Sequence, residues 1–258
     1  MSLDLPLVFA ILMGAAILAY VVLDGYDLGV GMLMPAASAE EQDVMVASIG
    51  PFWDANETWL VLGVGLLLIA FPAAHGYILG ALYLPVAAML VGLMLRGVAF
   101  ELRVKAQGWH AELWNWLFWF GSFLAAFAQG FMLGRYLTAF QQGGGYFLFA
   151  LMTGAALCGG YVLLGAAWLW VWRSLGRSDW KPFAGAVAIF VLAFAGLAYS
   201  VFPFVVLGWL TIWDAASHPS ALKVVLAGVI VVLPFLVGYT VFAYRVFRGK
   251  AKAGLYGK

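Results

Sequence analysis

Charge is the scarcest thing in this sequence. Lys, Arg, Asp and Glu make up 10% of the 258 residues, while 66% are hydrophobic. A soluble domain of this length needs a far more polar surface, so lipid must be the solvent for most of the chain. Cysteine is nearly absent: Cys158 stands alone in an apolar run, which rules out a disulfide within the chain and leaves a small packing residue. Histidine is almost as rare. His75, His110 and His218 fall in or beside loops, so no pair faces across a span to hold a haem, which leaves only an isolated Met as a haem ligand, and no metal site is expected. No Walker motif and no glycine-rich nucleotide loop occurs, which excludes ATP chemistry, and no nucleic-acid partner is expected. The opening stretch Leu3 to Leu23 lacks the basic start of a signal peptide and reads as a retained first span.

Long apolar runs are what the sequence does have. A helical span takes roughly 17–25 apolar residues, and runs of this kind occur at 6–34, 55–74, 77–99, 112–138, 145–172, 182–210 and 222–247. Backbone groups in hydrocarbon must be satisfied within each span, and the alternating strands of a barrel are missing. The fold class is therefore all-α, a polytopic transmembrane helix bundle of about seven spans. Pro35 should end the first helix and Pro51 should sit near the start of the second. Pro72 to Gly76 should be the tight link between spans two and three, and Gly143 to Gly145 the break between spans four and five. Pro203 should kink the sixth. Basic residues orient the chain. Arg96, Arg103, Lys105, Arg173, Arg177, Lys181, Arg245, Arg248, Lys250, Lys252 and Lys258 fall on one side, against Arg135 and Lys223 on the other. The rule that cytoplasmic loops are the basic ones puts the C-terminus inside and the N-terminus outside if there are seven spans. The first loop carries Glu40, Glu41 and Asp43 with no basic residue, but acids count little in that rule.

Polar residues in so apolar a chain need a reason. Asp24 and Asp27, three apart at the cytoplasmic end of span one, share a helical face. Gly25 and Gly29 form a small-xxx-small pair that lets another helix come close. A carboxyl at membrane depth is costly and marks a functional candidate; the plain alternative is a solvated helix end. At the entrance to span two, Trp53, Asp54, Asn56 and Glu57 form a second cluster, with the two acids on one face. Those acids also suit a helix N-terminus, and Trp53 and Trp59 suit interfacial anchors. Both clusters fall on the same side, which favours a shared hydrated path. Arg96, with Glu101 and Arg103 where span three leaves the membrane, either pairs with an acid or snorkels, and snorkelling is the plainer expectation. Gln129 lies mid-span and can bridge helices, whereas Arg135 near the outer end should snorkel. Trp213-Asp214-Ala215 echoes Trp53-Asp54-Ala55, which is thin support for an internal repeat.

Three stretches carry a family resemblance. Leu23-Asp24-Gly25-Tyr26-Asp27-Leu28-Gly29-Val30-Gly31-Met32-Leu33, followed by Ser48-Ile49-Gly50-Pro51-Phe52-Trp53-Asp54-Ala55-Asn56-Glu57-Thr58-Trp59-Leu60, resembles subunit II of cytochrome bd-type quinol oxidases. Phe202-Pro203-Phe204 and Thr211 to Ser217 are similar to the same family, and Arg96 with Glu101 resembles its basic–acidic pattern after span three. The resemblance implies an enzyme only as part of a complex, which oxidises quinol and reduces dioxygen to water with cytoplasmic protons. Haems b and d are then expected in the partner, subunit I, and none in this chain. Aspartates at the positions of Asp24 and Asp54 would line a proton pathway, with Asp27 and Glu57 beside them. The resemblance leaves room for a structural quinone, a small accessory membrane subunit and bound lipids, in a bacterial inner (plasma) membrane.

The resemblance implies eight spans in two four-helix halves, so a shortened member is expected. Residues 1–140 should form the N-terminal half with the acidic motifs, and 141–258 a shortened C-terminal half in which Trp172 to Tyr199 stands in for two helices. The rival reading is a proton- or cation-coupled secondary transporter, whose acids would sit near mid-membrane rather than toward one face. A purely structural scaffold with interfacial carboxylates is a third.

Overall fold

The computed structural model describes residues 3–103, 105–173 and 180–246. Arg177, Arg248, Lys250, Lys252 and Lys258, counted above for orientation, lie outside them, as does Phe247 at the expected end of the last span. The fold is all-α, with eight α-helices among the described residues, in chain order: α1 Leu5–Leu33, α2 Ala39–Ile49, α3 Trp53–Ala70, α4 Pro72–Arg103, α5 Trp109–Leu137, α6 Gly144–Arg173, α7 Lys181–Val201 and α8 Pro219–Val246. A small antiparallel hairpin, β1 Phe204–Val206 with β2 Leu210–Thr211, precedes α8. Seven helices, all but α2, have the length and composition to cross a membrane. The chain is a polytopic inner-membrane protein.

Element boundaries follow local chemistry, with some surprises. α1 stops at Leu33 and gives way to a single 3-10 turn holding Pro35. The acidic first loop, read above as a connection, contains helix α2. Ser38 caps it: its hydroxyl accepts from the Glu41 amide at 3.4 Å, and the Glu41 carboxylate accepts from the Ser38 amide at 3.0 Å. This reciprocal pair is a capping box, and the acids of the first turn suit the helix dipole. The link between spans two and three is shorter than expected. Pro72 to Gly76 are already helical, and Phe71 alone separates α3 from α4. Proline is well tolerated in the first turn because it lacks only an N–H that would go unbonded there. Pro203 kinks nothing, because α7 ends at Val201 and the expected span 182–210 is a helix followed by the hairpin. Among the described residues of 172–199, the end of α6 at Arg173 is followed by part of one further spanning helix, α7.

The chain divides into two compact units. One consists of residues 3–21, 52–81 and 191–246. Within it, the Ser217 amide and hydroxyl donate to the carbonyls of Ala70 and Ile69 at 2.8 and 2.6 Å. At the other end of α3, Phe52 stacks on Tyr244 of α8 with ring centroids 4.4 Å apart. The second unit consists of the described residues of 22–51 and 82–190. Small residues let its helices touch backbone to backbone. A Cβ on Gly165 of α6 would lie 2.5 Å from the Gly29 carbonyl carbon of α1, and one on Gly29 would strike the Tyr161 carbonyl. A Cβ on Gly92 of α4 would meet the Ala125 amide nitrogen of α5 at 2.7 Å. Such close approach replaces the hydrophobic drive that lipid cannot supply.

Gly29→Ala should therefore lower the thermal unfolding midpoint of the detergent-solubilised protein, at a cost of about 1–3 kcal/mol or more from overpacking. Gly196→Ala, whose Cβ would enter open space, is the control and should melt like the parent. Equal midpoints for the two variants would show that the α1–α6 contact tolerates a side chain.

Candidate functional site

The second unit holds a buried ion pair. Asp24, on the penultimate turns of α1, and Arg96, near the end of α4, are 0% and 2% exposed, and an Arg96 Nη2–H donates to Asp24 Oδ1 at 2.7 Å. Arg96 therefore does not snorkel, contrary to the expectation above. It turns inward because a buried carboxylate needs a partner more than a guanidinium in the interface needs water. Asp24 Oδ2 has no hydrogen-bond partner among the described residues. Asp27, one turn on, is also fully buried. Glu101 is exposed, five residues beyond Arg96, and is not brought to the pair.

Two glycines open the space beside it. Gly25 faces the Tyr161 ring of α6, which a Cβ would meet at 2.6 Å. With its ring seated there, Tyr161 donates from Oη to Gln129 Oε1 of α5 at 2.6 Å, so Gln129 does bridge helices. Tyr26 points to another side and stacks on Trp168 at 4.4 Å. Around Asp24, then, α1, α4, α5 and α6 each contribute polar or packing atoms. Tyr161 was missed in the sequence because it sits in an unbroken apolar run, and nothing marks its hydroxyl as one that will find an amide on a neighbouring helix.

A second polar chain closes one end of this unit. Asn115 Nδ2 donates to Gln42 Oε1 at 2.7 Å, Arg103 Nε donates to Asn115 Oδ1 at 2.7 Å, and Arg103 Nη2 pairs with Asp43 at 2.9 Å. Gln42 Nε2 donates in turn to the carbonyls of Met34 and Ala37. The chain ties α2 to the ends of α1, α4 and α5. Its members are far apart in sequence, so spacing could not reveal it. Arg135 is the other correction among the basic residues. It is buried and donates to the carbonyls of Phe140 and Gln141 at 2.9 and 2.6 Å, where Ala139 and Phe140 have positive φ. It holds the turn after α5 rather than snorkelling.

The Trp53–Glu57 cluster lies in the first unit, at the start of α3. Asp54 is exposed, Trp53 and Glu57 are half-buried, and Asn56 is fully buried. Tyr244 Oη donates to Asn56 Oδ1 at 3.2 Å, so Asn56 fastens α3 to α8. The two acidic clusters thus fall in different compact units. Trp213-Asp214-Ala215 is no structural copy of Trp53-Asp54-Ala55. It closes a turn after β2, where Asp214 accepts from the Thr211 hydroxyl at 2.6 Å, whereas the earlier triplet opens a helix.

His75 and His110 stand in the first turns of α4 and α5, and His218 just before α8. Among the described residues no three His, Cys, Asp or Glu side chains group as a metal site. An apolar pocket of about 420 Å³ lies at the α5–α6 turn, lined by Leu137, Thr138, Gly143, Gly145, Tyr146 and Phe149. Its Thr138 hydroxyl is already bonded to the Gly134 and Arg135 carbonyls, so the lining fits a quinone head group poorly.

The family model for cytochrome bd terminal oxidase subunit II matches residues 5–173 and 169–247. Cytochrome bd ubiquinol oxidase subunit 2 of Bacillus subtilis (strain 168) is 40% identical over 124 residues, 46% of this chain and 36% of that protein. Cytochrome bd-I ubiquinol oxidase subunit 2 of Escherichia coli (strain K12) is 28% identical over 246 residues, 86% of this chain and 64% of that protein. The probable cytochrome oxidase subunit 2 of Haemophilus influenzae is 28% identical over 183 residues, 64% and 48% of the respective chains. This chain therefore spans from 36% to 64% of the length of these curated relatives.

Removing one member of the Asp24–Arg96 pair leaves an uncompensated buried charge. Arg96→Met alone should cost about 3–5 kcal/mol in chemical denaturation. The double variant Asp24→Leu with Arg96→Met should recover most of that loss. A single variant as stable as the parent would mean that the pair does not hold α1 to α4.

Proposed function

The chain belongs to the cytochrome bd terminal oxidase subunit II family, and from that premise we propose that it is the haem-free subunit of a quinol-oxidising, dioxygen-reducing complex. In this reading it stabilises the haem-bearing subunit I and admits protons from the cytoplasmic side. The observation that carries the proton role is the fully buried Asp24–Arg96 pair. A pair of this kind gains little stability over well-packed apolar residues, so its use at membrane depth points to function.

The proposed path divides its work among four acids. Asp54, exposed in the first turn of α3, and the half-buried Glu57 present carboxylates where protons arrive. Asp24 and Asp27 are fully buried and would carry protons away from bulk water. Arg96 anchors Asp24 through Oδ1, which orients the carboxylate and leaves Oδ2 to accept from a hydrated proton. Trp53, Asn56, Gly25 and Gly29 support this by packing: Asn56 holds the start of α3 to α8, and the two glycines let α6 close over α1. The haems that carry out electron transfer and oxygen reduction belong to subunit I in this reading. No step is assigned to a quinone bound by this chain.

Asp54→Asn in the assembled complex should lower quinol-driven oxygen consumption several-fold, with reduced-minus-oxidised haem absorbance near that of the parent. Asp24→Asn, which keeps an oxygen to accept from Arg96 but removes the titrating carboxyl, should lower oxygen consumption as well, with some loss of stability. Normal turnover and normal proton coupling in both would remove the proton-path role. Loss of haem absorbance would instead make these residues structural supports of subunit I.

A further inference from the structure

The segment Phe202 to Ser217 carries family-like motifs that a proton path does not use. It also sits in an unusual place. Trp213 Nε1 donates to the Asp4 carboxylate just before α1, at 3.0 and 3.2 Å to its two oxygens. Ser217 bonds to Ile69 and Ala70 at the end of α3, and Trp209, in the hairpin turn, lies 4.6 Å from Tyr77 near the start of α4. The hairpin itself joins the end of α7 to the start of α8. It is thus fastened where five membrane-spanning helices begin or end, which is the level of the membrane–water boundary.

Its side chains match that level. Trp209 is 60% exposed, and Phe202, Trp213 and Tyr77 are 55%, 47% and 40% exposed. Charged and polar groups, Asp4, Asp214, His218 and Lys223, are exposed around them. Rings of this size would be costly in water, and their polar edges would be costly in hydrocarbon. Indole and phenol groups are therefore most stable in the glycerol and head-group layer. The adjoining faces of α7 and α8 are openly apolar, as at Tyr199, Val224 and Ile230, and suit acyl chains.

We propose that the Phe204–Thr211 hairpin is an interfacial anchor that holds Trp209 and Tyr77 together in the head-group layer of the leaflet at this end of the spans. Its partner is phospholipid. Gly208, at φ +71°, lets the hairpin turn close beside Trp209, whose ring centroid lies 4.6 Å from that of Tyr77.

The test uses the assembled complex in bilayer nanodiscs. The fluorescence of the parent minus that of Trp209→Phe isolates Trp209 from the other tryptophans. Phosphatidylcholine brominated near the glycerol should quench this difference signal strongly, and phosphatidylcholine brominated near the chain ends or aqueous iodide only weakly. Stronger quenching by the deep bromines, or by iodide, would place Trp209 in hydrocarbon or in water and overturn the proposal. Quenching by none of the three would mean that a protein partner covers the hairpin, which would overturn it equally.

Discussion

A carboxylate in hydrocarbon must find a partner within the protein, and much of the second unit is arranged around meeting that demand at Asp24. Arg96 reaches it from α4 at 2.7 Å, so α1 and α4 are joined by charge as well as by contact. Close joining needs thin helices. At Gly29 and Gly165 the α1 and α6 backbones touch, and at Gly92 and Gly121 those of α4 and α5 do. Each small residue has the same purpose: without it the backbones stand farther apart and the polar groups lose reach.

The same demand accounts for several other buried polar residues. Gln129 accepts from Tyr161, Asn56 from Tyr244, and the Arg135 guanidinium is used on two carbonyls left over where α5 unwinds. None of these residues floats to an interface. Where lipid offers no hydrogen bonds, a polar side chain is retained only by meeting another group inside the fold. Functional and structural polarity therefore look alike in sequence. What sets the acids apart is that the second carboxyl oxygen of Asp24 accepts no hydrogen bond from the described residues, and Asp54 stays exposed.

Placing the proposed proton path and the aromatic hairpin in one chain suggests a division of labour by chemistry. Buried carboxylates and their arginine suit the handling of charge inside the fold. The indole- and phenol-bearing hairpin suits holding the span ends at a fixed depth.

Composition and apolar run lengths determined the class of this protein and the number of its spans, because hydrocarbon tolerates only self-satisfied helices of a certain length. The adjacent motifs around Asp24 and Asp54 pointed to the family for the same reason: they are local, and a local pattern survives in one dimension. Element ends within a few residues were less legible, as at Phe71 and Pro203, since a proline can open a helix or follow one as readily as kink it. Helix α2 hid in an acidic loop although its Ser38–Glu41 cap was in plain view. What only the tertiary structure decided was pairing. Arg96 to Asp24, Tyr161 to Gln129 and Trp213 to Asp4 join residues 72, 32 and 209 positions apart. No spacing rule reaches that far. The choice between snorkelling and an inward partner depends on which helix lies alongside, and only the folded chain places that helix.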